Sequence, residues 1–386
     1  MNKPVQVLHI ITRLDPGGSA ENTVLSVERV DPARFESRVW TGPGLFGVGP
    51  TPEYGKRLAG KIEIIPRLVR PIRPWNDFLA PFSLMRRLRE VNPDIIHLHS
   101  AKVGVVGRIA VKLSGTKAKV IYTPHGHVFS GYGGSMASAI FTLLERWLAK
   151  WCDAIVALTP DEVKEFLAHN AGKPEQFHIV PSGVELAPYE AASKSRKKTR
   201  AKLGFSEDVL LAGFVGRLEE VKGPDRFLEV AQRLLGSHPG MKFLVIGDGS
   251  MMAELQRKAG YMGLADSILW TGWRLDVPEL ISTLDILLVT SRNEGQGRVV
   301  VEAAGAGVPT VALKTGGLGE VIVPGETGML IDNGDLAALA DVTSELLADP
   351  KRRERMGIAA RKYAKENYSV EVMTRKLEEL YIALAT

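Results

Sequence analysis

Two basic residues in the second half of the sequence have the types and spacing to bind a diphosphate. Arg217 ends an apolar run typical of a buried strand, and Lys222 comes shortly before a helical pattern. An arginine offers a planar fork of N–H donors and a lysine a compact charge, so the two suit phosphate oxygens. The alternative is that both are surface residues, one of them paired with Glu219 or Glu220. Gly216, directly before Arg217, allows the backbone to approach a ligand closely.

A glycine-rich segment, residues 291–302, follows another apolar run and leads into a helix. It contains Glu294 and Glu302, which a continuous helix would separate by roughly 12 Å of axial rise. That separation is too large for an adjacent acid/base pair, but it suits hydrogen bonds to different hydroxyls of one extended ligand. A position for Glu302 on a solvated helix face is the simpler alternative. The predicted binding loop also includes Gly295, Gln296 and Gly297.

Gly17 and Gly18 lie between the first apolar run and the first helical pattern. Glycines there let backbone N–H groups approach an anion at the positive end of a helix. Taken alone the signal is weak, because glycine turns after a first strand are common. The segment matches neither the dinucleotide fingerprint nor the P-loop.

Histidines are concentrated in two short stretches of the first half. His97 and His99 alternate on one strand and so share a face, as do His125 and His127. Paired histidines suit a metal ion. No cysteine, aspartate or glutamate accompanies either pair at ligand spacing, and positions at strand ends explain the histidines more simply, so we predict that neither pair binds a metal ion.

Composition favours a folded protein of two domains. The chain has 386 residues, 45% of them hydrophobic and 24% charged, and it exceeds the usual size of one core. The only cysteine, Cys152, excludes an internal disulfide framework and is expected to be a buried apolar residue. No signal peptide or membrane-spanning stretch is recognisable, so we predict a cytoplasmic protein.

The net charge of +5 comes from the first half of the chain. Several arginines there lie beside Trp75, Phe78 and Phe82, aromatic residues at helical spacing. This combination favours an anionic membrane surface and a peripheral location at its inner face, with inward packing of the aromatics as the alternative. The arginines are Arg67, Arg70, Arg73, Arg86, Arg87 and Arg89.

Short apolar runs alternate with helical patterns along the whole chain, which predicts α/β architecture with two doubly wound parallel sheets and a cleft between them. Strands are predicted at 5–12, 36–42, 61–66, 94–100, 119–124, 154–159 and 177–181, and again at 209–216, 241–246, 267–271, 285–290, 309–313 and 328–331. We assign an N-terminal domain at 1–190, a linker at 191–205 with a short helix to Leu203 as one option, a second domain at 206–365 and a final helix at 366–386. That helix has packing back onto the N-terminal domain as one option.

The segment from Glu294 to Glu302, followed by an Ala-Ala-Gly-Ala-Gly-Val-Pro run at 303–309, resembles the signature of the retaining family-four glycosyltransferases. Weaker matches are spread over nearly the whole chain. They include Gly17-Gly18, the His-Leu-His-Ser run at 97–100, Thr-Pro-His-Gly at 123–126, Gly-Phe-Val-Gly-Arg at 213–217, Ile-Gly-Asp-Gly at 246–249, and Gly316-Gly317 with Glu320.

The resemblance implies a GT-B fold and metal-independent transfer of a sugar from a nucleoside diphosphate, with UDP expected, to an acceptor hydroxyl. It also implies that no cofactor is needed, since the sugar nucleotide is a substrate. Arg217 and Lys222 would hold the pyrophosphate, with Gly18 approaching it from the other domain. The Glu294 loop would bind the transferred sugar and Glu302 the ribose. His125 would lie near the reaction centre. Gln296 departs from the aromatic or apolar residue that is common there, which leaves the sugar open.

The run at 99–108 resembles family members that build polysaccharide units on polyprenyl diphosphates, so Lys102 and Arg108 would meet a lipid-linked acceptor. Three other readings remain: a sugar-nucleotide 2-epimerase on the same fold, a non-catalytic nucleotide-sugar-binding partner, and a nucleic-acid binder. The last lacks a recognisable module, and we predict no nucleic-acid partner.

Overall fold

The computed structural model describes residues 3–44, 49–69, 71, 73–126, 129 and 135–386. The chain forms two compact units. Unit 1 comprises Met1–Gly183 together with Val370–Thr386, and unit 2 comprises Val184–Ser369. The predicted linker at 191–205 lies inside unit 2, and the short helix to Leu203 that the sequence suggested is present as Arg196–Lys202.

Unit 1 is built on a parallel sheet with the strand order β3-β2-β1-β4-β5-β6-β7. The four strands in the middle of the sheet are almost entirely buried, as expected for a parallel sheet covered by helices on both faces, whereas the outer strands keep exposed positions. The strands are β1 Val5–Ile11, β2 Phe35–Thr41, β3 Ile62–Ile64, β4 Ile95–His99, β5 Lys119–Thr123, β6 Ala154–Ala157 and β7 Phe177–Ile179. The helices are α1 Gly18–Glu28, α2 Pro52–Arg57, α3 Pro74–Val91, α4 Ala101–Ser114, α5 Ser135–Leu148 and α6 Pro160–Ala168.

Unit 2 is built on a second parallel sheet, with the strand order β10-β9-β8-β11-β12-β13. Its strands are β8 Leu211–Val215, β9 Lys242–Ile246, β10 Ile268–Trp270, β11 Ile286–Val289, β12 Thr310–Leu313 and β13 Gly328–Ile331. Its helices are α7 Ala187–Ser193, α8 Arg196–Lys202, α9 Pro224–Ser237, α10 Met252–Tyr261, α11 Val277–Ser282, α12 Arg298–Ala306, α13 Leu318–Val321, α14 Leu336–Ala348 and α15 Pro350–Tyr368.

The last helix, α16 Val370–Ala385, returns to unit 1 and fills one face of its sheet. Met373, Leu377 and Tyr381 are buried there against Val7 of β1 and Ile95 of β4. Burying side chains of this size contributes roughly 1.5–3 kcal/mol each. The core of unit 1 therefore combines the two ends of the sequence.

The structure confirms the predicted fold class. Each strand predicted from an apolar run is present, with ends within two residues of the prediction. Cys152 is buried, as predicted. Within the described ranges, no helix combines the length and the hydropathy that crossing a bilayer requires.

Candidate active site

In unit 2, β8 and β11 are neighbours at the point where the strand order reverses. Open α/β sheets bind ligands at such switch points, beside the carboxyl ends of the strands. Gly216, Arg217 and Lys222 follow β8, and the segment containing Glu294 follows β11. The two motifs predicted independently from the sequence therefore meet at one edge of the sheet.

Lys222 and Glu294 form an ion pair at this edge. The Nζ atom of Lys222 lies 2.6 Å from Oε1 of Glu294, and Ser291 donates its hydroxyl to the same oxygen at 2.7 Å. The carboxylate is largely buried, whereas a quarter of the Lys222 side chain is exposed. The side chain of Lys222 thus pairs with neither Glu219 nor Glu220. In the Lys222–Glu294 pair, both side chains keep hydrogen-bonding capacity for a ligand.

Glycine backbone geometry holds the two loops together. Gly223 has φ 63°, and a Cβ there would overlap the carbonyl oxygen of Thr290 at the end of β11. Thr290 donates its hydroxyl to the Gly223 carbonyl at 2.8 Å. Similarly, Gly247 has φ 136°, and a Cβ on it would overlap the Gly216 backbone. Only glycine combines this close approach with a positive φ at no steric cost.

The loop after β12 supports the segment that follows β11. Gly317 donates its N–H to the carbonyl of Gly295 at 2.8 Å. Gln296, predicted to contact the ligand, is only 3% exposed. Gly297 has φ 77° and caps the N-terminus of α12.

Arg217 and Glu302, two further predicted residues, flank this edge in different settings. Arg217 is exposed. Hydrogen bonds from Ser250 lower the pKa of Glu219, and the charge of Arg217 makes a smaller contribution in the same direction. Glu302 lies in the second turn of α12, where Arg298 pairs with it at 3.1 Å. The structure therefore gives Glu302 a partner and not a free surface position.

One ion pair near Lys222 was missed by sequence reasoning. Arg292 makes a bidentate contact with Asp225 of α9, at 2.8 and 2.7 Å, and this contact lowers the pKa of that carboxyl. Both residues line a surface cavity of about 480 Å³ whose other charged residues are mainly glutamates. This acidic cavity does not suit a diphosphate.

In unit 1 the strand order reverses between β1 and β4. Gly17 and Gly18 lie just beyond β1, at the N-terminus of α1, as predicted. Lys102, in the first turn of α4, lies 2.6 Å from Asp77 of α3.

Arg108 differs from its predicted role. It is completely buried and pairs with the equally buried Glu145 of α5 at 2.6 Å, while its guanidinium stacks 4.4 Å from the ring centroid of Tyr122. This burial leaves Arg108 no surface with which to contact an acceptor. Its role is to join α4 and α5.

Four histidines cluster at the switch point of unit 1. His9 of β1 lies opposite His97 of β4 in the sheet. His9 Nδ1 is 2.9 Å from His99 Nε2, and His99 Nδ1 is 2.9 Å from His125 Nε2. His97 is held separately, by Thr123 Oγ1 at 2.7 Å and by the Tyr381 hydroxyl of α16 at 2.8 Å.

Burial keeps these imidazoles neutral. It lowers the pKa of His9 and of His125 to about 3, and it lowers the pKa of His97 and His99 well below 6.5, with a smaller contribution from the neighbouring histidines. One nitrogen from each of His9, His97 and His99 lies within 4.8 Å of the others, a spacing that a metal ion could use. Hydrogen bonds already engage both ring nitrogens of His97 and His99. The prediction of a metal-independent site stays a prediction.

His125 lies two residues beyond the end of β5 and has an unusual backbone conformation. Its φ is 65°, in the left-handed region that non-glycine residues rarely adopt. Glu162 of α6 holds the next residue by accepting the Gly126 N–H at 3.1 Å, and its other oxygen accepts the Leu158 N–H at 2.6 Å. Such strain persists where the surroundings over-determine the conformation, and it is common at functional sites. His127, its predicted partner on the same strand face, lies outside the described residues.

Two family models together match most of the chain. The model described as glycosyltransferase family 4 matches residues 9–187, and the model described as glycosyl transferases group 1 matches residues 195–363. The chain belongs to glycosyltransferase family 4. It is a glycosyltransferase of the hexosyltransferase class.

Curated relatives of this glycosyltransferase act on different acceptors. It is 27% identical over 323 residues to the Escherichia coli UDP-Gal:alpha-D-GlcNAc-diphosphoundecaprenol alpha-1,3-galactosyltransferase, covering 82% of each chain. It is 29% identical over 306 residues to the D-inositol 3-phosphate glycosyltransferase of Corynebacterium diphtheriae, covering 75% of this chain and 70% of the relative.

Solved structures agree on the fold. The Anabaena protein Alr3699/HepE, in complex with UDP and glucose, matches with a TM-score of 0.83 and 21% identity over 97% of this chain and 99% of that one. Sucrose-phosphate synthase from Thermosynechococcus elongatus matches with a TM-score of 0.82 and 20% identity, over 98% and 99% of the two chains. These similarities establish the GT-B fold of this glycosyltransferase.

Proposed function

We propose that this glycosyltransferase transfers a hexose from a UDP-sugar, with retention of configuration, to a hydroxyl of a polyprenyl-diphosphate-linked glycan. The observation that carries the proposal is the Lys222–Glu294 pair at the switch point of unit 2. In this proposal the lysine binds phosphate and the neighbouring carboxylate binds sugar hydroxyls. The names of the relatives support the donor and the acceptor, because one uses UDP-galactose on a diphosphoundecaprenol-linked sugar.

In the proposed donor complex, Lys222 and Arg217 bind the diphosphate, the Glu294 loop binds the hexose and Glu302 binds the ribose. Gly17 and Gly18, at the N-terminus of α1, are proposed to supply backbone N–H groups to phosphate oxygens. As the bond between the anomeric carbon and the diphosphate oxygen breaks, negative charge grows on the leaving group. Fixed cations stabilise that charge, so the proposed reaction needs no metal ion.

The acceptor hydroxyl attacks the anomeric carbon from the face that the diphosphate leaves, which retains configuration. The leaving diphosphate takes the proton of that hydroxyl, so neither a protein nucleophile nor a separate base is required. His125 lies at the reaction centre in this proposal. A glycosyl–enzyme adduct trapped during turnover would contradict it.

Thermal shift measurements with nucleoside-diphosphate sugars test the donor site. A ligand that binds only the folded state raises the unfolding midpoint, because it stabilises that state. At a ligand concentration one hundred times the dissociation constant, the free energy of unfolding rises by about 2.7 kcal/mol. We expect a UDP-sugar to raise the midpoint of the wild type and to have little effect on Lys222→Ala. Lys197→Ala is the matched control, since Lys197 pairs with Glu207 at 2.9 Å on α8.

Two outcomes would contradict the donor assignment: no sugar nucleotide stabilises the wild type, or Lys222→Ala responds as Lys197→Ala does. Product analysis separates the alternatives. Isomerised donor without acceptor indicates an epimerase, and binding without turnover on a panel of lipid-linked acceptors indicates a non-catalytic partner.

The acceptor proposal includes docking on an anionic membrane from the cytoplasmic side. On α3, Trp75, Phe78 and Phe82 are 80%, 63% and 45% exposed, and Leu79 between them is exposed too. The structure thus rejects inward packing of these aromatics. A stripe at i, i+3, i+4 and i+7 with basic neighbours suits insertion into a lipid interface.

Helix α5 carries a second exposed apolar stripe, Ile140, Leu143 and Trp147. Both α3 and α5 pack against α4, so the two stripes belong to one helical layer of unit 1. The exposed basic residues near them are Arg67, Arg73, Arg86, Arg89, Arg146 and Lys150. Arg70 lies outside the described residues. Lys102, at the start of α4, is proposed to contact the lipid-linked phosphate.

Vesicle co-sedimentation tests this surface. We expect the wild type to bind vesicles that contain phosphatidylglycerol better than vesicles of phosphatidylcholine alone, with less binding at high salt. Trp75→Ala with Phe78→Ala weakens this binding, whereas Trp273→Ala does not, although Trp273 is 55% exposed in unit 2. Equal loss in both variants, or no binding by the wild type, would contradict the proposal.

A further inference from the structure

Three of the clustered histidines form a hydrogen-bonded chain. We call its buried end, at His9, the closed end. The chain runs from His125 through His99 to His9, with both nitrogen–nitrogen distances at 2.9 Å. His9 and His99 are completely buried, while His125 is partly exposed. Among the described residues, Nε2 of His9 has no hydrogen-bond partner. Neither His9 nor His99 has a role in the donor site proposed above.

Three neutral imidazoles joined in this way allow only two proton arrangements. Each neutral ring carries one N–H, and each of the two links needs one donor and one acceptor. In the first arrangement all three protons lie on Nε2, so His125 presents a bare Nδ1 and the buried Nε2–H of His9 has no acceptor. In the second arrangement all three protons lie on Nδ1, and His9 keeps only an unpaired lone pair in the interior.

The closed end favours the second arrangement. A buried N–H without an acceptor is rarer in proteins than a buried acceptor that lacks a donor. No comparable constraint acts on His97, because both of its partners are hydroxyl groups, which can donate or accept.

We propose that His9 and His99 are positioning residues that fix the proton of His125 on Nδ1, so that His125 presents a hydrogen-bond donor at the carboxyl end of β5. The ligand group it takes is an oxygen acceptor, a sugar hydroxyl or a phosphate oxygen. His125 is therefore not a general base. This last step rests on the proposed function, because it assumes that a sugar nucleotide reaches His125.

Long-range proton–nitrogen NMR on protein labelled with ¹⁵N-histidine tests the proton positions directly, since it separates protonated from bare ring nitrogens. We expect His9, His99 and His125 to carry their protons on Nδ1 in the ligand-free wild type. Protons on Nε2 of these rings, or a rapidly exchanging mixture at His125, would overturn the proposal. Single histidine variants assign the signals.

A pair of variants tests the coupling. His99→Phe removes the link to His125, and we expect the His125 signal to lose its fixed tautomer and to show exchange between both forms. The control is His238→Phe, because His238 hydrogen-bonds Ser344 at 2.7 Å in unit 2 and lies outside the chain of rings. An unchanged His125 signal in His99→Phe would contradict the coupling, and circular dichroism verifies that each variant is folded.

Titration with a UDP-sugar separates this inference from the proposed function. If the inference and the proposed function both hold, the Nδ1–H signal of His125 shifts on binding and Nδ1 stays protonated. If no sugar nucleotide binds, the proposed function fails, but the tautomers measured without ligand still decide the proton arrangement. A His125 that binds ligand through a bare Nδ1 overturns the inference alone.

Discussion

The residues of the donor half show which part of a site the sequence can predict. Lys222 and Glu294 were both recognised from their local patterns, a cation before a helix and a carboxylate in a glycine-rich loop. Their pairing was not predicted, because they are 72 residues apart in the sequence. They come together because β8 and β11 are adjacent in the sheet. His9 was missed for the same reason: only the register of β1 on β4 places it beside His97 and His99.

At the residue scale, Gly223 tests how tightly the two loops are held together. We expect Gly223→Ala to destabilise unit 2 by about 1–3 kcal/mol, because the residue has a positive φ and its new Cβ would overlap the Thr290 carbonyl. Thermal unfolding measures the change, and UDP-sugar binding is expected to weaken with it.

Gly236→Ala is the matched control. Gly236 lies in the last turn of α9, where a Cβ would meet no atom within 4 Å. Alanine there is expected to be neutral or to stabilise by up to about 1 kcal/mol. A similar loss of stability in both variants would contradict the argument from the close approach.

At the scale of elements, alternating apolar runs were enough to place the strands, because buried parallel strands read as short continuous hydrophobic segments. The same criterion failed for residues 191–205. That segment looks polar and aperiodic and predicts at most a short helix to Leu203. In the structure it contains the end of α7 and the whole of α8, where Arg200 is buried and pairs with Asp285 at 2.8 Å. A helix anchored by a buried ion pair leaves no apolar periodicity to detect.

Arg108 was misread because its neighbours at 99–108 resemble an acceptor motif. The opposing signal was Glu145, a carboxylate in the mainly apolar segment that forms α5. A buried charge needs a partner, and the sequence contained both members of the pair. Gly104, one turn before Arg108, accepts a hydrogen bond from its Nε through its carbonyl oxygen.

Substitutions at Arg108 and Lys102, the two predicted acceptor residues, should therefore differ in how much stability they cost. We expect Arg108→Ala to destabilise unit 1 by about 3–5 kcal/mol, because it leaves Glu145 buried and uncompensated. Lys102→Ala removes a partly exposed pair and should cost less than about 1 kcal/mol. Denaturant unfolding measures both, and recovery of stability in the double variant Arg108→Met with Glu145→Met checks the cause.

At the scale of the whole molecule, the buried histidines predict a loss of stability at mildly acidic pH. His9 has a pKa of about 3 in the folded state and an ordinary value of 6.5 in the unfolded chain. Below pH 6.5 the unfolded state binds more protons, so the free energy of unfolding falls as pH decreases from 6.5 towards 3.

Between pH 7.5 and pH 5, His9 alone is expected to lower the free energy of unfolding by on the order of 2 kcal/mol. Unfolding measured across this range should show the decrease, and His9→Asn should show a smaller one. The comparison concerns the slope against pH, since the substitution also changes the stability at neutral pH. An identical slope in the variant would contradict this assignment.

The two ends of the sequence meet in the core of unit 1, and this has a consequence for biosynthesis. Unit 2 is one continuous segment, Val184–Ser369, whereas unit 1 requires α16, which follows it. Domains generally fold in the order in which they leave the ribosome. Here the two units complete their folding in the opposite order. Unit 2 can finish folding while the apolar residues around Val7 and Ile95 are still uncovered, because Met373 and Leu377 have not yet been synthesised. During synthesis, unit 1 therefore begins to emerge before unit 2 but becomes native after it.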